Sequence, residues 1–143
     1  MNNCKFCKIV TGDLLNLVVM EDEETVAFLD HRPLFPGHTL LVPKTHYETL
    51  ADLPDNLVTP LFKNAKMLAV AVEQGLGAEG SFIAINNRIS QSIPHLHVHI
   101  VPRHKGDGMK GFFWPRHPYE SSETMLAVAD RLRQAIAQLR PET

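Results

Sequence analysis

Gln91-Ser92-Ile93-Pro94-His95-Leu96-His97-Val98-His99-Ile100-Val101-Pro102-Arg103 alternates imidazole with aliphatic side chains between two prolines. Successive side chains on an extended strand point to opposite faces. Leu96, Val98 and Ile100 therefore share one face, fit for a core, and His95, His97 and His99 line the other. The stretch reads as a strand from His95 to Val101, bracketed by Pro94 and Pro102. On such a strand neighbouring histidine Cα atoms lie about 6.8 Å apart and the outer pair about 13–14 Å apart. Zinc–nitrogen bonds are about 2 Å long, so this spacing predicts three rings with separate tasks rather than one shared ion.

Working outward, Ser81 to Asn86 reads as the strand before it, and His38 to Val42, stopped by Pro43, as another. Arg32-Pro33-Leu34-Phe35-Pro36-Gly37 is a loop, because two prolines and a glycine leave little room for regular structure. Val18 to Glu21 and Thr25 to Leu29 are strands flanking the acidic turn Asp22-Glu23-Glu24. Lys5 to Val10 reads as a short helix ending at Gly12. Asp52-Leu53-Pro54-Asp55 has the chemistry of a helix start with Asp52 as cap, and Leu57, Leu61, Ala65, Leu68 and Val72 follow helical spacing to Gly75. Pro60 predicts a kink there or a regular helix starting at Thr59. A last helix from Ser122 carries Met125, Val128, Ala129, Leu132, Ile136 and Leu139 on one face until Pro141. Two consecutive strands after the central helix do not fit alternating β and α units. The fold class expected is α+β, with a largely antiparallel five-stranded sheet and two main helices.

The chain has 143 residues, 44% hydrophobic and 21% charged, which is the composition of one globular domain. Fourteen Lys and Arg against sixteen Asp and Glu give a net charge of −2, which argues against bulk nucleic-acid binding. No apolar run approaches the roughly 20 residues of a membrane span. Met1 to Cys7 lacks the basic-then-apolar order of a signal peptide, so a cytoplasmic location is expected.

Both cysteines lie in Cys4-Lys5-Phe6-Cys7. The pair reads as a redox couple, half of a zinc site or two buried thiols. No strand precedes it, which is the wrong context for a thioredoxin-like motif and gives no reason to expect a redox cofactor.

His95-Leu96-His97-Val98-His99-Ile100-Val101 resembles the signature of the histidine triad (HIT) superfamily, His-φ-His-φ-His-φ-φ with φ apolar. Phe28-Leu29-Asp30, followed by Pro36-Gly37-His38-Thr39-Leu40-Leu41-Val42-Pro43-Lys44, is similar to the first half of that family. Cys4-x-x-Cys7-Lys8-Ile9 resembles its bacterial and Hint-like N-terminus. The resemblance runs from Cys4 to Arg103 and divides the chain into a nucleotide-binding, catalytic core at 1–104 and a segment at 105–143 packed on the same domain. That segment carries Phe112-Phe113-Trp114, compatible with docking on its own sheet or approaching a partner's site.

The resemblance implies a HIT-like fold and a hydrolase attacking the α-phosphate of a nucleotide conjugate through a covalent nucleotidyl-histidine. The conjugate would be a nucleoside phosphoramidate or dinucleoside polyphosphate, and the product a nucleoside monophosphate. The alternatives are a nucleotidyltransferase or phosphorylase of the same superfamily, and a non-catalytic, zinc-stabilised nucleotide-binding module. By the resemblance His97 is the nucleophile, His99, Gln91 and Ser92 contact phosphate or the scissile oxygen, and His38 abuts the active strand. Asp30 matches the ribose-binding position, Phe6, Ile9 and Phe28 the base pocket with His31 beside it, and Asn86 a phosphate-contacting asparagine. Cys4, Cys7, His46 and His95 match the ligands of one structural zinc per chain. The partners implied are a purine nucleotide or its conjugate and a second copy in a homodimer, with no membrane and no specific nucleic acid. The loop Asn86-Asn87-Arg88-Ile89-Ser90-Gln91 departs from the family pattern, being shorter and without glycine.

Overall fold

Among the described residues every strand pairing is antiparallel, and each face of the sheet carries a buried apolar cluster. The computed structural model describes residues 3–12, 17–109 and 116–140. Strands β1 Val18–Glu21, β2 Thr25–Leu29, β3 Thr39–Pro43, β4 Gly80–Ala84 and β5 Val98–Arg103 form one sheet in the order β1-β2-β3-β5-β4. Helices α1 Lys5–Val10, α2 Asp55–Leu76 and α3 Ser122–Leu139 complete the α+β architecture expected from the sequence.

The chain divides into two compact units, Met1–Asp107 and Gly108–Thr143. The first holds the sheet, α1 and α2. In the second, α3 is capped by Ser121, whose Oγ accepts from the Thr124 N–H at 3.1 Å, and none of its residues is buried. Phe112, Phe113 and Trp114 lie outside the described residues.

Strand alternation assigns the two faces. Ala27, Leu41, Val98 and Ile100 point to one side and pack with Leu61, Ala65, Leu68 and Val72 of α2. Val26, Phe28, Leu40 and Val42 point to the other and pack with Phe6 of α1. The register places Phe28 opposite Leu40, and Leu40 opposite His99, so these three side chains form a row on the α1 face.

Three local readings are corrected. Asp52 does not cap α2. Its carboxylate accepts from the Thr49 N–H at 3.1 Å and the Thr49 hydroxyl at 2.7 Å, closing a single 3-10 turn at Leu50–Asp52. Thr49 is buried, so its polar groups need that acceptor, and α2 begins at Asp55 behind Pro54. The regular helix does not start at Thr59: Pro60 lies inside α2, and the Asn56 whose carbonyl loses its bond is exposed to water. β5 runs from Val98 to Arg103, through Pro102, rather than from His95 to Val101. β3 begins at Thr39, opposite Ile100, so further on β5 has a ladder only toward β4 and tolerates a proline. Upstream, the Leu96 N–H donates to the Tyr47 carbonyl at 2.7 Å rather than to a strand.

Candidate active site and metal centre

A cavity of about 810 Å³ opens on the α1 face of the sheet. Phe28 and Leu40 come from the sheet, as does His99 from β5, Phe6 and Ile9 from α1, Asp30 and His31 from the turn after β2, and Ser92, Ile93 and His97 from the approach to β5. The walls are thus mostly apolar with a few convergent polar groups, the usual make-up of a small-molecule site.

His97 is 4% exposed, and its Nδ1–H donates to the His95 carbonyl at 2.7 Å. A neutral imidazole carries one hydrogen, so the bond to a carbonyl leaves Nε2 with its lone pair free. Burial holds His97 below the ordinary histidine value, against the upward pull of the His95 carbonyl and of Asp30. The Phe6 ring stands edge-on to His97, centroids 4.9 Å apart, and restricts how the imidazole can turn.

His99 lies beside it, ring centroids 4.9 Å away. Its Nδ1 is 2.9 Å from Nε2 of the buried His38, and its own Nε2 is buried with no protein partner. Burial, then the proximity of His97 and His38, pushes His99 down to about 4 against a pull from Asp30. His38 is not a cavity wall but stands behind His99.

Asp30 is fixed at both ends. Its N–H donates to the His38 carbonyl at 2.9 Å, and its Oδ1 accepts from the Arg32 N–H at 2.9 Å. The second carboxylate oxygen lies 3.8 Å from His38 Nε2.

Gln91 and Asn86 are not cavity walls. The Gln91 amide is engaged elsewhere: its oxygen accepts from the Arg88 N–H at 2.8 Å and its nitrogen donates to the Glu48 carbonyl at 2.6 Å. It braces a loop in which Arg88 and Ser90 hold φ of 71° and 60°, a left-handed conformation adopted without glycine.

Cys4 Sγ, Cys7 Sγ, His46 Nδ1 and His95 Nδ1 all lie within 4.8 Å of one another. The sulfur–nitrogen separations are 3.4 Å for Cys4–His95, 3.6 Å for Cys7–His95 and 3.3 Å for Cys7–His46. Metal bonds of about 2.3 Å to sulfur and 2.0–2.1 Å to nitrogen at the tetrahedral angle put those atoms roughly 3.5 Å apart. His95 Nε2–H donates to the Pro43 carbonyl at 2.9 Å, which leaves Nδ1 as the free lone pair, as a metal-binding imidazole requires. Burial, then Cys4, pushes the Cys7 thiol up, and a cation among the four donors reverses that balance toward thiolate. The four residues therefore form a cluster that could hold a metal ion.

Several cavity residues escape sequence reasoning. Leu40 follows only from its register opposite His99, and Ile93 sits in an irregular stretch with no periodic signal. Lys5 lines the cavity with Ile9 because they are four apart on α1, a spacing that does signal a shared face once Ile9 is placed. Lys8 and Arg32 join it at the rim.

Known proteins of similar sequence share this fold. The chain is 35% identical over 108 residues to an adenylylsulfatase of Arabidopsis thaliana, covering 74% of this chain and 55% of that protein. A crystal structure of a HIT family member from Bacillus subtilis superposes with a TM-score of 0.83 at 33% identity, covering 99% of each chain. A zinc-bound histidine triad family protein from Mycobacterium smegmatis superposes with a TM-score of 0.71 at 37% identity, covering 94% of this chain and 98% of that one. The family model described as "HIT domain" matches residues 12–106, the stretch that carries the sheet and all three histidines of the run, and the chain belongs to the HIT domain family.

Proposed function

We propose that this protein is a nucleotide hydrolase that attacks the α-phosphate of a nucleotide conjugate with His97. The observation that carries the reading is the His97 ring itself. One nitrogen is tied to the His95 carbonyl at 2.7 Å, and the other is left bare on the wall of a cavity beside His99. In the first step the Nε2–phosphorus bond forms as the bond to the leaving group breaks, and the electron pair departs with that group. Water then attacks phosphorus, the nitrogen–phosphorus bond breaks, and the nucleoside monophosphate leaves with His97 neutral again. His99 and Ser92, both in the cavity wall, supply hydrogen bonds to the phosphate oxygens, and Asp30 takes the ribose hydroxyls through its free oxygen. Phe6, Ile9 and Phe28 cover the base, with His31 at its edge. Gln91 and Asn86 reach phosphate in this reading only if the loop between them rearranges.

Cys4, Cys7, His46 and His95 hold a structural zinc ion, which ties α1 to the approach to β5 and supplies no reaction step. The protein is read as a cytoplasmic homodimer; among the described residues no helix is long and apolar enough to cross a membrane. The adenylylsulfatase relative makes mixed anhydrides of a nucleotide with an acid part of the substrate panel, beside phosphoramidates and dinucleoside polyphosphates.

The test incubates the protein with that panel, follows products, and measures intact protein mass for a nucleotidyl adduct. His97→Ala should abolish turnover and the adduct while mononucleotide affinity stays within about 1–2 kcal/mol, since the ring serves the transition state. Turnover by His97→Ala close to that of the parent would remove the mechanism.

A further inference from the structure

We propose that the backbone N–H of Leu34, acting through His38, fixes His99 as a neutral hydrogen-bond donor toward the substrate, so that His99 holds a phosphate oxygen but does not protonate the leaving group. The nature of that acceptor rests on the nucleotide reading above. The proton pattern does not.

The first donor in the line cannot reverse its direction. The Leu34 N–H donates to His38 Nδ1 at 3.0 Å. An amide is only a donor at its nitrogen, so His38 Nδ1 must carry a lone pair, and the one hydrogen of the neutral ring sits on Nε2. His38 Nε2–H then points at His99 Nδ1, 2.9 Å away, which must accept. The hydrogen of His99 is thereby placed on Nε2. That is the buried atom left without a protein partner, on a residue that lines the cavity. A line of donors thus runs from the loop backbone through two imidazoles and ends at His99 Nε2, where a substrate oxygen would accept.

The same line resists an added proton. Imidazolium at His99 would put a hydrogen on Nδ1, facing the hydrogen on His38 Nε2. His38 could relieve this only by moving its hydrogen to Nδ1, where it would meet the Leu34 N–H. Burial of both rings acts in the same direction. The charged or titratable groups facing the pair are Asp30, 3.8 Å from His38 Nε2, which favours a cation, and His97, which opposes one.

Asp30, His38 and His99 also offer ligand atoms within 4.8 Å of one another. They do not suit a cation, because His38 Nε2 carries hydrogen rather than a lone pair. A ligand atom at His99 Nε2 is therefore an unprotonated acceptor such as an ionised phosphoryl oxygen. A proton needed by a basic leaving group comes from water or from the substrate.

Local sequence builds the device. Pro33 and Pro36 stiffen the loop, Gly37 turns it with φ of 95°, and the His38 N–H closes it on the Phe35 carbonyl at 3.0 Å. This returns His38 to within reach of the Leu34 amide, directly ahead of β3.

Long-range proton–nitrogen NMR of the full chain labelled with ¹⁵N-histidine, at neutral pH, reads each tautomer directly. The expected result is Nε2–H at His38 and His99 and Nδ1–H at His97. An Nδ1–H or imidazolium form of His99 in the parent protein overturns the proposal without any variant. His38→Gln, whose amide can accept from Leu34 and donate to His99, should keep the His99 pattern. His38→Phe should give mixed tautomers at His99 and lower kcat by about 10²–10³, the loss typical of one preorganised donor. A His99 signal unmoved by His38→Phe in a folded variant would also overturn it. Addition of adenosine monophosphate should shift His99 Nε2. Expected tautomers with no response to that nucleotide would uphold the relay and refute the nucleotide reading.

Discussion

Removal of the zinc proposed for Cys4, Cys7, His46 and His95 should undock α1 while leaving the sheet folded. The helix has six residues and one buried side chain, Phe6, far below the roughly 12–15 residues at which isolated helices become stable. Ordering six residues costs at least about 6 kcal/mol of backbone entropy. Burial of Phe6 contributes about 1.5–3 kcal/mol. Backbone bonds, among them Lys8 to Cys4, Thr11 to Cys7 and Gly12 to Ile9, add about 1 kcal/mol each. Those terms nearly cancel, so on its own α1 sits close to equal populations of docked and open. Structural zinc binds with about 10–16 kcal/mol in small peptides, and only a small part of that is needed to decide the balance. Hydrogen–deuterium exchange with mass spectrometry, on chelated and zinc-loaded protein, measures it. The peptide spanning residues 3–12 should show protection below about tenfold after chelation and above about a hundredfold when loaded. Residues 98–103 of β5 should change by no more than a few-fold. Because Phe6 and Ile9 line the cavity, mononucleotide affinity should fall together with α1 protection. Equal protection of α1 in both samples would refute the reasoning, and with it the idea that the cluster is what holds the helix.

Gly37→Ala should cost about 1–3 kcal/mol, because φ of 95° is strained for any residue with a Cβ and the new methyl would press on the end of Leu76. Thermal denaturation should show a loss of several degrees, and a melting point within one degree of the parent would contradict this. Stability should also depend on pH through His99. Its folded value of about 4 lies below the unfolded value near 6.5, so the unfolded chain takes up the proton first. This contribution is intact above pH ~6.5 and is lost as pH falls from there toward ~4, by on the order of 1–2 kcal/mol after solvent screening. Urea midpoints at several pH values should show the slope in the parent and a flatter one in His99→Gln; identical slopes would exclude His99 as the cause.

The fold was largely legible because its signals are local and periodic. Alternation around Leu96, Val98 and Ile100 identifies the core-facing row, and all three are fully buried. What the sequence hid depends on distant partners. Asp52 carries every local mark of a helix cap, yet the buried Thr49 takes its carboxylate. Gln91 is spent on Glu48, 43 residues away, and no local pattern announces that. Arg88 and Ser90 adopt left-handed φ without the glycine that would have marked it. The gathering of Cys4, Cys7, His46 and His95 was legible only through resemblance, since spacing alone left the cysteine pair open among three readings. His38 shows the same limit: its bond to His99 spans 61 residues and exists because β3 and β5 are neighbours.

That neighbourhood has a kinetic consequence. β1, β2 and β3 follow one another closely in the chain, as do β4 and β5, so each group can pair early. The ladder between β3 and β5 must wait until the long α2 connection has closed, and closure entropy makes such distant pairings late. His38 stands directly ahead of β3, whereas His97 directly precedes β5 and His99 lies within it. A chain emerging from the ribosome therefore exposes its histidines singly, as ordinary weak bases in water. Only the last pairing to form brings His38 to His99 and encloses His97, so the histidine cluster and the completed sheet arrive in the same event.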